Sequence, residues 1–497
     1  MTEAAKSEGR ISQGEEVLDR LRRRTGLFLG PALLLASLCW PSPTQSFQHK
    51  TLVATVLLVL TWWITEAVPL AVTALLGPSL LVVFGVDTPA SVFSPFADPV
   101  IFLFLGSFIL AQAIVASGLD RRAAVAVLSW SRLGTSPGRV LVACGVLVAV
   151  LSMWLSNTAT AAMMYPLALA LTRAENQASS RSFASPLLLT VAYAASIGGL
   201  GTPVGTPPNL IALGQLEKLA GVKVGFLQWM GIGLPLTTAM LFLCLWRFRR
   251  LVVRRGYTVQ FQDLKADRKP LSRQQKNVLV AFSLAVSFWL LPGTCSLLLS
   301  PQHPLARTLT RAAPESVVAI VAASLLFLMP VDWRAGRFTL TWREAMQVDW
   351  GTLLLFGGGL SLGSQLFKSG LASHLGRWLV EITGAATPLS LAYLFAFFAL
   401  VLTETTSNTA AATVICPLAI AAAQATGVSP TAPALAAAVV ASFAFMLPVS
   451  TPPNAVVYGS GLIRITEMVV HGLWLDLVGV AITPPLVVAL CAFWGLG

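Results

Sequence analysis

A tripeptide and a tetrapeptide each occur twice in this chain, in the same order and at a similar separation. Ser156-Asn157-Thr158 is followed by Thr206-Pro207-Pro208-Asn209, and Ser407-Asn408-Thr409 by Thr451-Pro452-Pro453-Asn454. The sixteen residues from Ser156 align without gaps on the sixteen from Ser407. Nine are identical, at an offset of 251 positions in a chain of 497. Self-similarity at about half the chain length means one structural unit built twice. The fold therefore has to carry two equivalent polar clusters in equivalent places.

Those clusters sit in very apolar surroundings. The chain is 56% hydrophobic and 11% charged, with a mean hydropathy of +0.76, whereas soluble domains carry about 25% charged residues. No soluble core hides that much apolar sequence, so the chain reads as an all-α polytopic membrane protein. Polar, helix-breaking stretches at matching positions of two halves mark the binding site of a membrane carrier. The formal charge of +12 is spread over short loops, as the positive-inside rule produces, and implies topology rather than a nucleic-acid partner. Arg20, Arg22, Arg23 and Arg24 precede the first apolar run and put the N-terminus in the cytosol, with no cleavable signal pattern. Six scattered cysteines form neither CxxC nor Cys/His clusters, and His49, His303, His374 and His471 fall in or near loops. No HExxH motif or nucleophile–base pair suggests an enzyme.

About 11 transmembrane helices are expected. Spans lie near Gly26–Trp40, Thr51–Val68, Leu70–Val86 and Pro99–Ser117, and an interfacial stretch reaches Arg139. Val140–Leu171 is apolar at both ends with Ser-Asn-Thr in its middle and a basic residue on either side, which suits a re-entrant hairpin. Its tip has to be buried or line a wet cavity. Pro186–Leu219 breaks at Gly198–Pro208, where four glycines and three prolines in eleven residues preclude a continuous helix. A span from Val224 to Trp246 follows, then a basic cytosolic linker, 247–276. The second half repeats the order: spans near Asn277–Leu291, Glu315–Pro330 and Gly351–Phe367, a second hairpin at Pro388–Ala422, a second broken span at Ala432–Ile463 and a last span at Leu473–Phe493. An odd number of spans, five, separates the repeat units, so the halves are expected to be inverted, the second hairpin entering from outside.

Thr before Pro-Pro is a good helix start, so Thr206 and Thr451 are expected to cap half-helices at mid-membrane. With the two hairpin tips, four helix N-termini would point at one place, and such a place binds anions. Ser152 and Thr403, four residues before Ser156 and Ser407, add oxygens suited to a hard cation such as Na+. Glu404 is an intramembrane acid and functional by default, but Met153 holds the aligned position, which places Glu404 outside any symmetric site.

The paired Ser-Asn-Thr tripeptides, Trp62-Trp63-Ile64-Thr65-Glu66-Ala67-Val68-Pro69 and the two TPPN stretches resemble the divalent-anion/sodium symporters (Na+/dicarboxylate cotransporters). The resemblance runs from about Gly26 to the end of the chain. It implies a homodimer in the cell membrane working by an elevator motion. Residues 1–25 would be a cytosolic tail, 26–137 and 277–387 scaffold, and 138–246 and 388–497 the two halves of a transport domain. It also implies that a small dicarboxylate meets Asn157, Thr158, Thr206, Pro207, Asn408, Thr409 and Pro452. One sodium would meet Ser152, Ser156, Asn157 and Gly205, the other Thr403, Asn408 and Ser450. C4 dicarboxylates such as succinate, malate and fumarate are the expected cargo. The alternatives are sodium-independent dicarboxylate exchange and sodium/sulfate symport.

Overall fold

In the computed structural model, residues 13–40, 46–128, 136–172, 177–254, 270–300 and 302–497 are described. The apolar runs become helices because hydrocarbon offers no partner for backbone N–H and C=O groups. They run in the order α1 (Gln13–Cys39), α2 (Phe47–Thr65), α3 (Leu70–Val83), α4 (Pro89–Phe93), α5 (Pro99–Ser117) and α6 (Leu119–Leu128). Next come α7 (Pro137–Ser152), α8 (Asn157–Thr172), α9 (Gln177–Gly198), α10 (Pro207–Ala220) and α11 (Phe226–Arg254). The second half holds α12 (Arg273–Leu299), α13 (Pro304–Ala312), α14 (Glu315–Leu328), α15 (Trp342–Ala345), α16 (Trp350–Lys368) and α17 (Leu371–Thr383). It closes with α18 (Pro388–Thr403), α19 (Asn408–Thr426), α20 (Thr431–Ala441), α21 (Pro452–Tyr458) and α22 (Ile465–Phe493). Two short antiparallel strands, β1 (Pro330–Asp332) and β2 (Arg337–Phe338), form a hairpin between α14 and α15.

Helix starts follow the local chemistry. Asp98 accepts from the Val100 N–H at 3.0 Å just before Pro99, and Ser272 and Gln275 form a reciprocal capping box at α12. Gly427 ends α19 at a φ of 73°, a backbone that favours glycine. Asp87 receives Ser91, Gln365 and Lys368 at 2.6, 2.7 and 3.1 Å, tying the α3–α4 loop to α16. The Ser91 hydroxyl foremost, with those partners, holds the Asp87 carboxyl well below the ordinary carboxylate range.

Among the described residues, six helices are long and apolar enough to cross a membrane, and eight if two sharply bent pairs each count as one span. The bent pairs are α13–α14 at 58° and α17–α18 at 99°. The sixteen-residue helices α7, α8 and α18 are about 24 Å long at 1.5 Å per residue, short of the roughly 30 Å hydrocarbon core. The basic stretch after Trp246 is helical as far as Arg254, and α12 takes up the chain at Arg273, so the expected linker is entered by helix from both sides; 255–269 lie outside the described residues.

The core of the molecule is where the halves interlock. Helix α10 of the first broken segment packs on α19 and α20 of the second half, and α21 packs back on α8 and α9. Helices α9 and α20 are buried along nearly their whole described length, an environment suited to their Ala- and Leu-rich sequences.

Candidate functional site

Each broken segment is held open by its own asparagine. Asn209 Nδ2 donates to the Gly199 and Thr202 carbonyls, both at 2.9 Å. Asn454 Nδ2 donates to the Ala444 and Leu447 carbonyls at 2.9 and 3.0 Å. Both asparagines are fully buried, so these bonds satisfy carbonyls that the unwound chain cannot pair within a helix. The fourth residue of the TPPN motif is thus a strut rather than a ligand. A side chain against the first break has little room. A Cβ on Gly205 would come 2.5 Å from the Gly199 carbonyl oxygen, and one on Gly199 would come 2.5 Å from Asn157 Oδ1.

The hairpin tips repeat one another too. The Ser152 hydroxyl donates to Asn157 Oδ1 at 2.8 Å, and the Thr403 hydroxyl to Asn408 Oδ1 at 2.8 Å. Thr202 reaches the Met153 carbonyl across the first break and Thr403 reaches the Ala441 carbonyl across the second. With Oδ1 engaged, each asparagine turns its Nδ2 donor elsewhere.

Between the tips and the breaks lies a cavity of about 790 Å³. Its wall includes all seven residues expected to meet the anion: Asn157, Thr158, Thr206, Pro207, Asn408, Thr409 and Pro452. Of the residues expected around sodium, Ser156, Asn157, Gly205, Asn408 and Ser450 also line it. Ser152 and Thr403 do not; they sit fully buried one layer back, behind the asparagines they hold.

Two expectations about helix ends need correcting. Both TPPN helices begin Pro-Pro, and proline has no N–H, so α10 and α21 bring no amide donor at their first two positions. The Ser156 hydroxyl accepts from the Ala159 N–H at 3.2 Å, whereas Ser407 makes no side-chain cap at the start of α19. Of the four helix starts at the cavity, α8 and α19 alone therefore bring N–H groups at their first two positions. Capping also differs. Thr451 accepts from the Asn454 N–H at 3.4 Å, while Thr206 holds an extended N-cap geometry without a side-chain bond.

The sequence reading missed the far wall. Gln112 of α5 donates to Gln347 at 3.1 Å, and Asp349 caps α16 by accepting from the Thr352 N–H and hydroxyl at 3.0 and 2.6 Å; all four line the cavity. A capping aspartate immediately before an apolar run was the available signal for Asp349. Among the described residues that line it there is no lysine or arginine, and the two charged ones, Glu66 and Asp349, are acidic.

Helices too short to cross, asparagine-braced breaks and a cavity lined from both halves are the features of a multi-pass membrane transporter. The chain belongs to the citrate transporter (CitMHS) family of divalent-anion/sodium symporters, whose model matches residues 60–441. It is 38% identical over 476 residues to the sodium-dependent dicarboxylate transporter SdcS of Staphylococcus saprophyticus, covering 92% of this chain and 89% of that one. It is 37% identical over 475 residues to SdcS of Staphylococcus aureus, with the same shares covered. The crystal structure of the Alcanivorax borkumensis YdaH transporter shares the fold, with a TM-score of 0.54 over 96% of this chain and 98% of that one. At 15% identity that likeness concerns architecture alone.

Proposed function

We propose that the chain couples sodium to the movement of small C4 dicarboxylates across the cell membrane. The observation that carries this is the pair of asparagines. Asn157 and Asn408 stand at equivalent tips on one cavity, each with its Oδ1 engaged by a buried hydroxyl. The two free amide donors suit a molecule with a carboxylate at each end. Hydrogen bonds to a charged group contribute roughly 1.5–3 kcal/mol each, so a second carboxylate raises affinity about ten- to a hundred-fold.

Because no basic side chain is among the described residues that line the cavity, positive charge has to arrive with the cargo. Oxygens of Ser152, Ser156, Asn157 and Gly205 would hold one Na+, and those of Thr403, Asn408 and Ser450 another. The names of the SdcS relatives support sodium and dicarboxylate together. We read the two halves as inverted repeats, the hairpins as re-entrant from opposite sides and the N-terminus as cytosolic. Residues 138–246 and 388–497 form a transport domain that moves by an elevator motion against a scaffold dimer. The short hairpin arms and the interlocked breaks support that division.

Uptake of radiolabelled succinate into proteoliposomes tests the reading. An inward sodium gradient drives accumulation, potassium in its place does not, and unlabelled succinate competes far better than butyrate or sulfate. Ser152→Ala and Thr403→Ala raise the sodium concentration needed for half-maximal uptake several-fold. Equal uptake without sodium on either side, driven by internal dicarboxylate, would establish exchange instead. Competition by sulfate alone would establish sulfate transport, and citrate in the same panel fixes the size limit of the cargo.

A further inference from the structure

One layer behind the second hairpin, two carboxyl groups face each other with no positive charge between them. Glu404 ends α18 at 4% exposure, and Asp476 lies within α22 at 0%. Their carboxyl groups are neighbours. Among the described residues no ion pair reaches either one, and both Asp476 oxygens are buried without a hydrogen-bond partner. The nearby Tyr193 hydroxyl is spent on the Met468 carbonyl at 3.1 Å.

Acceptors outnumber protons on the Glu404 side as well. The Ser450 hydroxyl stands 2.9 Å from the Glu404 backbone oxygen and 2.7 Å from its Oε2. Its one hydrogen is shared between the two. Helix α20 ends close by, and its C-terminal carbonyls add the negative end of a helix dipole. A buried carboxylate without a partner is too costly to be left so. Glu404 has the Met446 N–H at 3.1 Å and the Ser450 hydroxyl, but the Asp476 carboxyl has neither, and a cation between the two acids would neutralise the pair.

The first half lacks all of it. Met153 stands where Glu404 does. Gly233 and Gly472 play matching parts, since a Cβ on either would come 2.3 Å from a carbonyl oxygen of its break, Leu200 or Phe445. Four residues on from Gly233 is Thr237, whose hydroxyl donates to the Ile197 carbonyl at 3.3 Å. Four residues on from Gly472 is Asp476. A neutral, paired side chain occupies the place where the second half has an unpaired acid.

We infer that Glu404, Asp476 and Ser450 hold a further monovalent cation, sodium in this transporter, at a site with no counterpart in the first half. The inference takes the identity of the ion from the proposed sodium coupling. Its test contains no anion, so the two readings fail separately.

Purified full-length protein in detergent is titrated with NaCl against choline chloride, at pH 6 and pH 8, and thermal unfolding is followed for wild type and Asp476→Asn. In choline the variant is the more stable, because the opposed charges are gone. Sodium raises the wild-type Tm more steeply and closes the gap, and 22Na+ equilibrium binding counts one ion fewer per chain in the variant. Parallel sodium curves with equal ion counts overturn the inference. So does a gap that moves with pH but not with sodium, since the occupant is then a proton. Should Asp476→Asn fail to fold, Glu404→Gln removes the other charge and is held to the same outcomes. A wild type whose Tm ignores sodium and that binds no 22Na+ overturns this site, whereas the coupling stands or falls with the sodium-driven succinate uptake.

Discussion

The two hairpin tips carry the same tripeptide in the same geometry, yet they are seated in opposite ways. The first tip, Met153-Trp154-Leu155, is apolar. Trp154 stacks near-parallel on Phe226 at 6.4 Å and meets Phe282 edge-on at 5.2 Å, and Phe226 in turn stacks on Trp289 at 4.9 Å. The second tip, Glu404-Thr405-Thr406, is polar. Glu404 accepts from the Met446 N–H at 3.1 Å and contacts Ser450, and the Thr405 carbonyl accepts from Arg22 of α1. The breaks differ likewise. The first is made of glycine, whereas the second carries Phe443 stacked on Phe445 at 5.7 Å and Ser450 where the first has Gly205. What the halves share is a short list: a hydroxyl on an asparagine at each tip, and an asparagine across each break. The halves kept the bonds that shape each tip and each break and let the residues around them diverge.

The sharpest way to break this comparison is to charge one tip at a time. Asn157→Asp and Asn408→Asp each put a carboxylate against the proposed anion, and each is expected to cut uptake by roughly a hundred-fold or more. Comparable loss in both supports equivalent tips; retention in either shows that one half alone binds the anion.

The struts come next. Asn209→Leu and Asn454→Leu each leave two buried carbonyls unpaired, at a cost of about 2–4 kcal/mol. Both variants should unfold several degrees below wild type in thermal melts. A large drop in only one would show that glycine and proline hold the other break open unaided.

Exchanging the shells gives a smaller, directional effect. Gly205→Ser drives a side chain into the Gly199 carbonyl, and overpacking of this kind costs about 1–3 kcal/mol, which predicts roughly ten-fold slower uptake. Ser450→Gly removes one hydroxyl contact and should cost only a few-fold. At the tips' outer contacts the two ends differ, from an effect comparable to Gly205→Ser down to the smallest of the series. Trp154→Ala loses two aromatic pairs, each contributing about 0.5–1.5 kcal/mol. Thr405→Ala should be nearly silent, because its hydroxyl bonds only to its own helix, at Val401 and Leu402. Uptake and melting of the pair, side by side, check that order.

The sequence exposed the shared list and little else. SNT and TPPN stand out because polar and helix-breaking residues are rare in a membrane span, so all seven residues expected to meet the anion fall on one cavity wall. What escaped notice were groups whose role depends on a partner distant in the chain. Asn209 was visible as part of a motif, but its bond to Gly199 needs the break to be folded. Gln112 and Gln347 are unremarkable until 3.1 Å separates them. Asp476 sits inside an apolar run as a single acid, and nothing in its local pattern announces Glu404. The reading of Thr-Pro-Pro as a donor-rich helix start went astray for a simpler reason: a dipole was credited with N–H groups that proline does not have.

The absence of lysine and arginine from the cavity wall bears on leakage. A pocket with fixed positive charge grips a dianion whether or not anything else is bound, and a loaded carrier of that kind runs downhill with its cargo alone. Here the described wall supplies shape and neutral donors, and of its two acids Glu66 is paired with Arg22 at 3.2 Å. Under the proposed sodium coupling, a dianion arriving by itself would gain too little to stay, half-loaded states would be thinly populated and slippage would be small. Tight coupling then requires no extra checkpoint, only that the attraction be carried in by the driving ion.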